Sequence, residues 1–130
     1  MKALPASASD DELIRFIDQW ASLLEREDYA GAYAHTEHDP ARQWTPELMR
    51  HVIKDYGDRR PNQRVTVIGA PSDVRQRKEV SRSANDGDGY VGEIWYDLNI
   101  DGAVSDLTAN FDLVAEAGKL KVRLHDIHVM

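Results

Sequence analysis

Leu13, Phe16, Ile17, Trp20, Leu23 and Leu24 recur at three- and four-residue spacing, the pattern of a helix with one apolar face. Ser9 stands ahead of that stripe with Glu12 three residues on, a capping box. Asp10 and Asp11 suit the positive end of a helix dipole. Together they predict a first helix from about Asp10 to Glu25. Asp28 is a good N-cap for a second, short helix through Tyr29, Ala32 and Tyr33 to about Thr36. Thr45-Pro46-Glu47 opens a third, with Thr as cap and Pro in the first helical position. Leu48, Val52, Ile53 and Tyr56 form its buried stripe, and Gly57 ends it.

After Pro61 the period shortens. RVTVIGA is β-branched and short, a strand. DVRQRKEVSRSA predicts a polar, exposed strand, and NDGDG a turn. YVGEIWYDLNI is a long strand, and Asp101-Gly102 is a two-residue hairpin signal into its partner, Ala103 to Val114. Ala117-Gly118 makes a second hairpin into Lys119 to Met130. Three helices followed by a run of antiparallel strands is an α+β layout, and 130 residues without a linker make a single domain, 1–130.

Composition narrows the chemistry. The chain has no cysteine, which excludes disulfides and thiolate nucleophiles and fits a reducing, cytoplasmic setting. No signal peptide and no membrane span is expected. A net charge of −7 argues against nucleic acid as a partner. The charge is uneven: Arg59 to Arg82 holds seven basic and two acidic residues, a net +5 that leaves −12 elsewhere. That segment reads either as a charged edge strand or as a surface for an acidic partner.

IRFIDQWASLLEREDYAGAYAHT, WTPELMRHVI and GEIWYDLNIDGAVSDLTANFDLVAEAGKLKVRLHDIHV resemble the nuclear transport factor 2-like superfamily. That superfamily has a cystatin-like α+β fold, also found in ketosteroid isomerases and polyketide cyclases. The resemblance implies three N-terminal helices packed on a curved, mainly antiparallel sheet that forms a cone. It further implies a small stand-alone bacterial member, akin to those that serve as immunity proteins, with a ligand pocket under the helices. A homodimer through the outer sheet face is also implied. No catalytic residue carries over from the isomerases.

The hairpin turns set a register. With Asp101-Gly102 as a two-residue loop, Tyr96 faces Leu107, Ile94 faces Ala109 and Gly92 faces Phe111. With Ala117-Gly118 as the next, Phe111 faces Leu124, Ala109 faces Asp126 and Leu107 faces His128. This register puts Asp126 and His128 on the apolar, helix-covered face beside Tyr96, and a one-residue bulge after Leu124 would turn both outward. Trp20 and Tyr33 are further pocket candidates. Trp95, alone among polar residues, and Arg123, opposite Asp112, are the interface candidates. HTEHD offers His35 and His38 at metal-sharing spacing and DGDG a faint calcium-loop echo, but neither has a completing ligand set, so no metal and no cofactor are expected. The expected function is non-catalytic binding, of a protein partner or a small apolar ligand. The alternative is an isomerase- or dehydratase-type enzyme using Asp126, His128 and Tyr96.

Overall fold

The computed structural model describes residues 3–57, 59–68, 76–85 and 87–129. Helix α1 spans Asp10–Glu25. Ser9 Oγ accepts from the Glu12 N–H at 3.2 Å, and Glu12 takes the Ser9 N–H at 3.4 Å, which closes the capping box. Helix α2, Tyr29–His35, is capped by Asp28, which accepts from the Gly31 N–H at 2.9 Å. Helix α3, Pro46–Lys54, is capped by Thr45 Oγ1 on the Leu48 N–H at 3.0 Å. It ends two residues before Tyr56 because Gln63 Nε2 donates to the carbonyls of Ile53 and Tyr56 (2.8 and 2.6 Å), satisfying the last turn from outside.

The strands are β1 Ala3–Pro5, β2 Glu37–His38, β3 Val65–Thr66, β4 Lys78–Arg82, β5 Tyr90–Ile100, β6 Ala103–Glu116 and β7 Lys119–Val129. They form one curled, mainly antiparallel sheet in the order β1-β7-β6-β5-β3, with β2 also on β7 and β4 also on β5. The strand expected over 64–70 narrows to β3, with Gly69 and Ala70 outside the described residues. The one expected over 73–84 narrows to β4, with 73–75 likewise outside. Asp86 of the DGDG turn also lies outside them. The long outer strands β5 and β7 each have their free edge covered by two short strands end to end, which blunts an aggregation-prone edge. Close approach of β4 to β5 requires glycine at 92: its φ is +151°, and a Cβ there would stand 2.2 Å from Ser81 O.

One sheet face and the apolar stripes of the helices share a single core. Leu13, Phe16, Ile17, Trp20 and Leu24 of α1 and Met49 and Ile53 of α3 meet Ile94, Leu98, Phe111, Leu113, Val122 and Leu124 of the sheet. Four basic residues of the +5 segment, which reads as a charged edge strand or as a surface for an acidic partner, are matched to acids. Lys78 pairs with Asp18 (2.9 Å), Arg82 with Asp10 (2.8 Å), Arg60 with Asp101 (3.1 Å) and Arg77 with Asp97 (3.7 Å). Four acids of α1 and the β5–β6 hairpin thus take up much of the +5 segment.

Lys54 is buried, and Glu27 is its counter-ion. The hydrogen bond from Lys54 holds Glu27 below its ordinary 4.5. A depressed carboxylate stabilises the fold fully above the unfolded value and loses that contribution as pH falls through the folded one. Glu27→Gln is therefore expected to cost about 1 kcal/mol at neutral pH, discounted because Glu27 is partly exposed. In urea titrations at stepped pH, the gap to wild type closes below pH 4.5. A gap that persists at pH 3, roughly a unit or more below an ordinary glutamate, contradicts the pairing.

Candidate functional site

Strands β6 and β7 pair as the turn dictates from Glu116↔Lys119 up to Phe111↔Leu124. The next pair is Asn110↔Asp126, not Asn110↔His125. His125 is the extra residue of a β-bulge, so Ala109 faces Ile127, Thr108 faces His128 and Leu107 faces Val129. The expected inward placement of Asp126 and His128 is thereby corrected. Ile127 points into the core at 5% exposure, and the two polar residues lie on the outer face.

Three backbone groups at the bulge have partners outside the β6–β7 ladder. Leu124 O accepts from the Asp39 N–H at 2.9 Å. His125 O accepts from the indole N–H of Trp44 at 3.1 Å. The Ile127 N–H donates to the Asp126 carboxylate at 3.0 Å. Asp126 is thus in part a local backbone cap, and Trp44, which sequence reasoning left unplaced, is the buried clamp on the bulge.

The predicted pocket residues do not converge. Tyr96 is buried on the inner face, where its hydroxyl donates to Asp18 at 2.6 Å. Burial, then the Asp18 bond, pushes its pKa up and keeps the phenol neutral. Trp20 is fully buried and meets Phe111 edge-on, with ring centres 5.0 Å apart. Tyr33 stacks on His38 at 3.8 Å. The sheet itself therefore separates Tyr96 from Asp126 and His128. His35 and His38 also part: His35 is buried, stacked on Phe16 and bonded to Phe16 O at 2.9 Å, while His38 donates to Tyr33 O at 2.6 Å.

The outer face gathers the interface candidates. The β5–β6 register runs two residues beyond expectation, through an irregularity between Asp97 and Asn99, so Trp95 faces Asn110 and Asp97 faces Thr108. An even shift keeps the side chains from Gly92 to Asp97 on their expected faces. Trp95 meets His128 edge-on across β6 at 6.1 Å, and Arg77 lies 4.9 Å above the indole. Beneath them Thr108 and Asn110 are buried, although they sit on the polar face. Thr108 donates to Asp97 at 2.8 Å, and Asn110 Oδ1 has no hydrogen-bond partner among the described residues. His128 Nδ1 lies 3.4 Å from Asp126.

Further along the same face, Arg123 pairs with Asp112 at 3.0 Å, as the cross-strand register predicts. Asp112 is also 3.9 Å from His125 Nδ1, which donates to Asp39 Oδ2 at 2.8 Å. The Ala41 N–H and then His125 hold Asp39 below its ordinary value.

Residues 21–130 match the family model of a domain of unknown function, DUF7668. The chain belongs to the DUF7668 family. No curated protein and no solved structure matches it. The DUF7668 match takes in the whole outer-face cluster, from Asp39 to His128, and leaves out β1 and α1 up to Trp20. Among the described residues, no helix of this DUF7668 chain is long and apolar enough to cross a membrane.

Proposed function

We propose that this chain is a non-catalytic interaction protein, built on a nuclear transport factor 2-like cone, that pairs with a second copy of itself through the outer sheet face. The bulge at His125 carries this reading: it sets Asp126 and His128 beside Trp95 on the open face, away from Tyr96 and the core. Helices on one face of a curled sheet agree with the cone.

Two further observations support the reading. At a net charge of −7, two copies repel unless they meet on a locally balanced patch. The outer face supplies one, with Arg77 against Asp97, Arg123 against Asp112 and Arg42 near Asp126 (3.7, 3.0 and 3.9 Å). Trp95, half-buried and flanked by Arg77, also matches the composition of an interface centre.

Sedimentation equilibrium tests this. Wild type is expected to be a dimer at micromolar concentration, and Trp95→Ala is expected to weaken association about 30-fold, the loss of an interface-centre residue worth about 2 kcal/mol. A wild-type monomer at those concentrations, or a dimer unmoved by Trp95→Ala, overturns it.

A further inference from the structure

On the same outer face, the bulge and its neighbours assemble a donor set of one imidazole and two carboxylates. His125, Asp39 and Asp112 each offer one ligand atom, and these three atoms all lie within 4.8 Å of one another. They come from three places in the fold: the turn after β2, the middle of β6 and the bulge in β7. We propose that these three side chains hold a divalent transition-metal ion, with zinc the best chemical match.

The geometry is that of ligands around a small cation. Nδ1 stands 2.8 Å from Asp39 and 3.9 Å from Asp112, separations that two ligands at about 2.0–2.2 Å from a shared ion can span. Asp39 is oriented for it: Oδ1 accepts from the Ala41 N–H at 2.9 Å, and the Asp39 N–H is tied to Leu124 O at 2.9 Å, leaving Oδ2 turned toward His125. Both carboxylates are largely shielded (17% and 15% exposed side chains), while His125 is 39% exposed, so the remaining coordination position opens to solvent. One imidazole nitrogen favours zinc, cobalt or nickel over magnesium and calcium, which prefer all-oxygen sites. On binding, Nδ1 gives up the proton it now shares with Asp39. That proton passes to Nε2 if the ring is neutral and to solvent if it is protonated.

Arg123 opposes the ion, because its guanidinium lies 3.0 Å from the same Asp112 oxygen. This gives the site a signature that a plain salt-bridge network lacks: removing the competing cation should tighten metal binding.

The test is calorimetric titration of zinc chloride into the full chain, with the histidine ring resonances followed by NMR. Wild type is expected to take one equivalent and shift the His125 signals. His125→Ala and Asp39→Asn should each abolish that uptake, and Arg123→Gln should tighten it about tenfold, roughly 1.4 kcal/mol. His51→Ala removes an exposed pair with Asp55 on α3 and should change nothing. No uptake by wild type overturns the proposal. So does uptake that survives in both folded His125→Ala and Asp39→Asn, or uptake lost in His51→Ala.

Discussion

Trp44→Ala is expected to destabilise the protein by about 3–5 kcal/mol, the cost of emptying a buried aromatic site. Trp44 is 6% exposed and part of the core cluster, so its ring contributes apolar burial like any other core side chain. It also holds the His125 carbonyl at 3.1 Å through its indole N–H. Truncation therefore removes packing and leaves the bulge carbonyl without its donor. Trp44→Phe separates the two effects: it keeps most of the apolar ring and removes the donor, and should cost about 1–3 kcal/mol, the penalty for an orphaned buried polar group. Denaturant unfolding of wild type and both variants checks this. A Trp44→Phe loss below about 0.5 kcal/mol would mean that the indole does not hold the bulge. Against a typical stability of about 5–15 kcal/mol, the alanine variant would leave little margin at physiological temperature.

Much of the architecture is legible in local sequence because local chemistry decides it. The Ser9–Glu12 capping box and the apolar stripe behind it place α1 at Asp10–Glu25 in sequence and structure alike. Asp101-Gly102 places its hairpin because the turn itself demands it: Asp101 and Gly102 both take positive φ, 51° and 79°. The Asp112–Arg123 ion pair follows from counting outward from Ala117-Gly118, since no irregularity intervenes.

What the sequence hides is settled by tertiary partners. Strands β1 and β2 are three and two residues long, too short to show any alternation, and exist because β7 offers an edge. The shift between β5 and β6 is accommodated by Ser105, whose hydroxyl donates to Leu98 O at 2.6 Å and accepts from the Leu107 N–H at 3.2 Å. The bulge at His125 depends on Trp44 and Asp39, more than 80 residues away in the chain. A tail that reads Leu-His-Asp-Ile-His-Val admits either phase, and only those distant donors choose. Asp39 carried a signal, lying in a segment of two histidines and two acids, but the sequence offers no reason to set it beside His125 in place of His35 or His38.

Ile127→Ala and His128→Ala therefore have unequal consequences. In the bulged strand Ile127 is the core residue, 5% exposed and opposite Ala109, and truncating it should cost about 2–5 kcal/mol. His128 lies on the outer face with a third of its side chain exposed, beside Asp126 and Trp95, and its loss should cost less than about 1 kcal/mol in the monomer. Without the bulge the order inverts: position 128 would be the buried one, and position 127 would face solvent. The decisive measurement is the difference between these two unfolding free energies, taken by urea denaturation at a concentration where the chain is monomeric. The bulged register predicts that Ile127→Ala is the more damaging by at least about 1 kcal/mol. Equal losses, or a larger loss for His128→Ala, would place Asp126 and His128 back under the helices and contradict the account.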